Sequence, residues 1–200
     1  MSPKPFFLYL HGFLSSPLSV KAQQTIRYCQ QAGWESQILI PTLHNGPAET
    51  IKELTAIVAS HGRYDLKLIG SSLGGFYATF LAEEYGLPAV MINPAVRPYD
   101  FWETHLGEHK NYYSNQMHTV TETHIEELEE LDKPQLLNPD NFWVLLQTGD
   151  ETLDYRKAVE KYGETHCLIR ENGNHSYENY DAELPAIFEF LLSRIGRSVR

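Results

Sequence analysis

Short apolar runs that alternate with helix-like stretches restrict this chain to very few architectures. Residues 6–10, 36–40, 66–69, 89–92, 142–147 and 165–169 read as strands. Residues 18–32, 48–60, 73–85, 155–162 and about 182–194 read as helices. Leu18, Ala22, Ile26 and Cys29 recur near helical spacing, with Gly33 as a stop; Ile51, Leu54 and Val58 line one face of the next helix behind Pro47. Strands separated by helices pair in parallel, because a parallel connection needs a crossover. The runs lack strict period-2 alternation, as strands covered on both faces do. The pattern predicts an α/β fold: a doubly wound, mostly parallel six-stranded sheet with helices on both faces.

Residues 95–141 break this rhythm. They hold no convincing strand and are rich in Tyr, Trp, His and Glu. Thr123 and Glu126 have capping-box spacing and predict an acidic helix running to Leu131. No repeat, low-complexity tract or Gly/Ser linker marks a boundary, so one domain over 1–200 with a lid-like insertion at about 95–141 is expected. The 200 residues can bury a core without staples. A net charge of −10 repels phosphate backbones and anionic lipid, so nucleic-acid and membrane-surface partners are disfavoured. No apolar stretch is long enough to span a bilayer. Cys29 and Cys167 cannot form a disulfide framework and read as buried, reduced thiols. The apolar run at 6–10 is too short for a secretory signal, which points to the cytoplasm.

The chemistry centres on Gly70-Ser71-Ser72-Leu73-Gly74, a G-x-S-x-G with a strand before it and a helix after it. Such a turn is so tight that Ser72 must take a strained backbone, and glycines 70 and 74 remove Cβ atoms that would clash. The strain exposes the Ser72 hydroxyl at the carboxyl edge of the sheet. A serine nucleophile needs a base, and the base needs an orienting acid. In this arrangement the chain order is serine, acid, histidine. Asp150 follows the fifth strand and His175 follows the sixth, so both reach the same edge. Asp154 rivals Asp150 as the acid, but it is also well placed to cap the helix that starts at 155. His11-Gly12-Phe13 closes the first strand, and the N–H groups of Phe13 and Leu73 are the predicted oxyanion donors. His11 reads as a residue that shapes this loop.

Leu10-His11-Gly12-Phe13, Gly70 to Gly75, Asn93-Pro94-Ala95, Gln147-Thr148-Gly149-Asp150-Glu151 and His175 together resemble the α/β-hydrolase superfamily, and within it the small bacterial YqiA/YcfP-type esterases. The resemblance covers nearly the whole chain. It implies hydrolysis of carboxyl esters, or of acyl thioesters such as acyl-CoA, without metal or organic cofactor. It carries the catalytic roles to Ser72, Asp150 and His175. The implied partner is a small acyl ester or thioester. Short acyl chains are the default, because the chain is small and lacks a long Gly-rich lid.

Other signals are weaker. His105 and His109 are four residues apart, but no third metal ligand accompanies them. Phe101, Trp102, Tyr112 and Tyr113 suit either an acyl-binding wall or packing of the insertion. The run Glu126, Glu127, Glu129 and Glu130 reads as a solvated helix face. Two other functions share the scaffold: an interaction protein that has kept the fold, and an acyltransferase using the same residues.

Overall fold

The computed structural model describes residues 4–61 and 66–194. Residues 1–3 of the N-terminal run and both ends of the expected 1–200 domain lie outside the described residues. The main elements in chain order are β1 (Phe6–Leu10), α1 (Val20–Gln31), β2 (Ile38–Leu39), α2 (Pro47–His61), β3 (Leu66–Ser71), α3 (Leu73–Tyr85) and β4 (Ala89–Ile92). They continue as α4 (Tyr99–Trp102), β5 (Gly107–Lys110), β6 (Met117–Val120), α5 (Glu122–Glu130), β7 (Phe142–Gln147), α6 (Tyr155–Tyr162), β8 (His166–Arg170) and α7 (Tyr180–Ser193).

Six strands form one parallel sheet in the order β2-β1-β3-β4-β7-β8. Alternate residues of β1 feed two cores. Leu8 and Leu10 join the face covered by α2, α3 and α6, while Phe7 and Tyr9 join the face covered by α1 and α7. The helices that follow the adjacent strands β1 and β3 therefore leave on opposite faces. That divergence opens a crevice at the strands' carboxyl ends, where open α/β sheets bind ligands. The register pairs Leu10 with Gly70 and Ser71 with Ile92, so the loops at 11–14, 72 and 93 emerge at one level.

Several local expectations need correction. α1 begins at Val20, not 18; Ser19 has extended backbone, and Leu18 lies before the helix with 65% of its surface exposed. β2 contracts to two residues at the sheet edge, because Glu35–Gln37 turn as a 3₁₀ helix. β8 is the other edge strand and is not covered on both faces; Cys167 on it is exposed, whereas Cys29 is buried.

The excursion at 95–141 does contain strands: β5 and β6 form an antiparallel hairpin. Their residues, GEHK and MHTV, are mostly exposed, so no apolar run announced them. α5 starts at Glu122 with Thr121 as its N-cap, accepting from the His124 N–H, instead of the box at Thr123. Glu127 is not merely solvated, since its carboxylate accepts the Ala48 N–H at the start of α2. Val120, Leu128 and Trp102 pack into the core beneath α2 and α3. The buried pair Lys161–Asp132, at 2.9 Å, ties the excursion to α6.

Candidate active site

The β3–α3 turn holds Ser72 at φ 55° and ψ −123°, outside the usual regions for a side-chain-bearing residue. Such a conformation costs on the order of 1–3 kcal/mol and persists only where its surroundings enforce it. Here they do. The Ser72 N–H donates to the Ile92 carbonyl, and the Ser72 carbonyl accepts from Gly75 and Ala95. Gly74 sits directly against the Leu10 carbonyl, where no Cβ could fit. Gly12 approaches from the other side; a Cβ there would come within 3.1 Å of the Ser72 Cβ. The Ser72 turn and the loop after β1 are thus in contact because glycines 12 and 74 carry no side chain at the points of closest approach.

The Ser72 Oγ lies 3.0 Å from His175 Nε2. His175 Nδ1 lies 2.8 and 3.0 Å from the two Asp150 carboxylate oxygens. A carboxylate only accepts, so Nδ1 carries the proton and Nε2 is left to accept from the serine hydroxyl. Asp150 Oδ1 also accepts the N–H groups of Thr152 and Leu153, which fixes the carboxylate. The Asp150 side chain is 2% exposed and that of His175 22%, so the carboxylate is enclosed and the imidazole faces the cleft. Asp154 instead caps α6, accepting the Arg156 N–H at 3.0 Å. The Phe13 and Leu73 amides flank the serine, and neither donates to a protein acceptor among the described residues.

His11 joins two loops. Its Nδ1 donates to the Gly12 carbonyl at 2.9 Å, and its Nε2 accepts the Leu43 N–H at 3.3 Å. Burial pushes its pKa down, which suits a neutral ring with one donor and one acceptor. His105 and His109 are not on one helix. His105 ends a 3₁₀ turn, His109 lies in β5, and their rings pack around Phe13. His109 Nε2 donates to the His105 carbonyl. Among the described residues, no cluster of three or more His, Cys, Asp or Glu is placed to hold a metal. The four aromatic residues singled out in the excursion divide: Phe101 and Trp102 pack on the core, Trp102 buried against Phe13, while Tyr112 and Tyr113 line the cleft. Arg97 pairs with Asp100 at 3.1 Å.

Sequence reasoning gave no role to the residues that hold the histidine loop. Asn93 Nδ2 donates to the carbonyls of Asn174 and His175, and its Oδ1 accepts the Gln147 N–H. The Gln147 side chain donates to the Glu178 carbonyl and accepts from the amides of Asn174 and Glu178. Glu151 accepts the His175 N–H at 2.9 Å, and that bond lowers its pKa. Asn93 and Gln147 are almost fully buried. Buried amides at strand ends were the available signal, because such groups must find partners.

The cleft beside Ser72 has a volume of about 400 Å³. A model of the uncharacterised protein family UPF0227 matches residues 6–192. Among solved structures, mouse alpha/beta hydrolase domain-containing protein 10 aligns with a TM-score of 0.74 at 15% identity, over 96% of this chain and 90% of that one. Est1E from Butyrivibrio proteoclasticus aligns with a TM-score of 0.69 at 13% identity, over 96% and 89%. MGS-MChE2, an alpha/beta hydrolase enzyme from a lagoon-sediment metagenome, gives 0.64 at 15% identity, over 96% and 92%. At these identities the likeness is one of fold: the chain has the α/β-hydrolase fold. No described helix is long and apolar enough to cross a membrane.

Proposed function

The chain belongs to the uncharacterised protein family UPF0227, and from that premise we propose that it is a serine esterase for short-chain carboxyl esters, with acyl thioesters as a second acceptable class. One observation carries the reading: an unbroken hydrogen-bond relay from Ser72 Oγ through His175 to Asp150, at 3.0 and 2.8 Å, on a strained strand–helix turn.

In this mechanism His175 Nε2 takes the Ser72 proton as Oγ attacks the ester carbonyl. The Phe13 and Leu73 N–H groups stabilise the oxyanion. The imidazolium then protonates the leaving alcohol. Water, deprotonated by the same histidine, releases the acid from the acyl-serine. Asp150 holds the ring in its tautomer and stabilises its cation. No step needs a metal or cofactor. A cytoplasmic location belongs with this reading, and so does a small-molecule acyl ester as the only required partner.

The test is a fluorophosphonate probe followed by peptide mapping, with a known serine hydrolase alongside. Labelling at Ser72, abolished in Ser72→Ala, is expected; intact protein that never labels ends the proposal. A panel of p-nitrophenyl esters of rising chain length tests the acyl preference. Activity should fall beyond short chains, and a profile that stays flat or rises would remove that part.

A further inference from the structure

Lys21 occupies an unusual position for a lysine. It is the second residue of α1, in the first turn, where the helix dipole disfavours a cation. Its side chain nonetheless lines the cleft that contains Ser72 and His175. It is the only Lys or Arg among the described residues of that cleft, and Glu178, at its rim, is the only Asp or Glu. Glu178 is engaged with the Asn174 side chain.

An ammonium has three N–H donors. One, at 2.8 Å, meets the carbonyl of Ser176. No carboxylate among the described residues lies within ion-pair distance. Burial lowers the pKa of Lys21 to about 8, against the opposing influence of the Asp150 charge. A cation drawn into a cleft with one neutral partner is costly unless an anion joins it. The chain's net charge of −10 would otherwise repel an anionic substrate.

The contact with Ser176 locates this charge relative to the chemistry. Ser176 follows His175 directly, so Lys21 stands on the histidine side of the nucleophile. His175 must hand its proton to the leaving oxygen, which sets the alcohol half of an ester on that side. Phe13, Tyr112 and Tyr113 also line the cleft, and Asn111 of the hairpin donates to the Ser15 carbonyl of the loop after β1.

Resting on the esterase reading above, we infer that Lys21 is a specificity-determining residue that binds an anionic oxygen group, carboxylate or phosphonate, on the alcohol half of the substrate. The geometry thereby narrows the substrate class to esters of acidic alcohols or phenols.

The experiment compares three butyrate esters of matched phenols: 4-carboxyphenyl, 4-phosphonophenyl and the neutral 4-carbamoylphenyl. The wild-type protein should favour at least one anionic ester over the neutral one in kcat/KM. Lys21→Gln should lower that anionic-to-neutral ratio by about tenfold or more, mainly through KM, and Lys21→Arg should restore most of it. The Ser72 labelling rate with an uncharged fluorophosphonate reports whether each variant is folded. Equal ratios in wild type and Lys21→Gln, with both proteins labelling at Ser72, would overturn the inference and leave the esterase reading standing. A ratio lost in both the Gln and the Arg variants would make Lys21 a mere anchor of the Ser176 loop and overturn it as well. Wild-type protein that neither labels nor cleaves the neutral ester removes the esterase reading, and this inference with it.

Discussion

Ser72 and His175 meet at 3.0 Å, but they are held there by different means. The serine is fixed by backbone: a positive φ, an amide bond to β4, carbonyl bonds from Gly75 and Ala95, and glycines where chains nearly touch. The histidine sits on a loop whose start is tied by backbone, Gly149 donating to the Asn172 carbonyl, but whose 174–178 stretch is held mainly by side chains, namely Asp150, Glu151, Asn93 and Gln147. The first arrangement tolerates no added atoms. The second tolerates graded loss, because each hydrogen bond can be removed separately. The two should therefore fail differently, one through stability and the other through rate.

The largest effect is expected from Gly74→Ala. The new methyl would press on the Leu10 carbonyl, and neither backbone segment can step aside. Overpacking of this kind costs about 3 kcal/mol or more, which lowers Tm by roughly 10 °C in a chain of this size. Calorimetry should show that loss together with absent Ser72 labelling. Wild-type Tm with normal labelling would show that the serine turn is not clamped by backbone contact.

Asp150→Asn attacks the other half. It should leave Tm near the wild-type value, yet lower kcat by about 10³ to 10⁴, because the amide no longer secures the tautomer or stabilises the imidazolium. Asp154→Asn should stay within a few-fold, since asparagine also caps helices well. Steady-state kinetics on a p-nitrophenyl ester checks both. The reverse ranking would contradict the assignment of the histidine's partner.

Asn93→Asp is the sharper probe of the histidine loop. It keeps the acceptor for the Gln147 N–H and a side chain that tolerates φ 40°, but it turns the donor facing the Asn174 and His175 carbonyls into an oxygen. The loop should shift, lowering kcat by about 10², the typical cost of misplacing a catalytic group by 1 Å. The labelling rate should fall in parallel, with circular dichroism unchanged. Unaltered kinetics would mean that the loop is held without Asn93.

These same contacts mark how far the sequence could be read. The six sheet strands are short apolar runs bounded by Gly, Pro or Asn, and the serine turn is compressed into 70–75, so local patterning exposed both. The loops with Asp150 and His175 followed from strand ends and chain order. The β5–β6 hairpin was not legible because its residues are polar and exposed. Thr123 has the glutamate three residues on that a capping box needs and Thr121 does not, yet Thr121, with extended backbone just past β6, is the cap. The bonds from Asn93 and Gln147 join segments far apart in sequence, and no local pattern encodes such pairings. Nothing local distinguishes Lys21 from another helix lysine; its place in the cleft depends on where α1 packs.

The smallest effect is expected at Glu151, whose carboxylate takes the His175 backbone N–H while itself lying exposed. Glu151→Gln keeps an acceptor and removes only the charge, so kcat should fall no more than a few-fold. Its stability effect should nevertheless depend on pH in a defined direction. The His175 N–H bond, the leading cause, holds the Glu151 pKa below its ordinary value of 4.5 in the folded protein. A carboxyl group with a lowered folded pKa binds fewer protons folded than unfolded, so its stabilisation is complete above the unfolded value and is lost as pH falls through the folded one. Thermal melts of wild type and Glu151→Gln should differ by a small, constant amount from about pH 6 to 8, on the scale of about one charge-assisted hydrogen bond. The two should converge as pH drops below about 4.5, the ordinary glutamate range. A difference that persists or widens in acid would assign the effect to packing, and would place Glu151 with the backbone-held serine instead of the side-chain-held histidine.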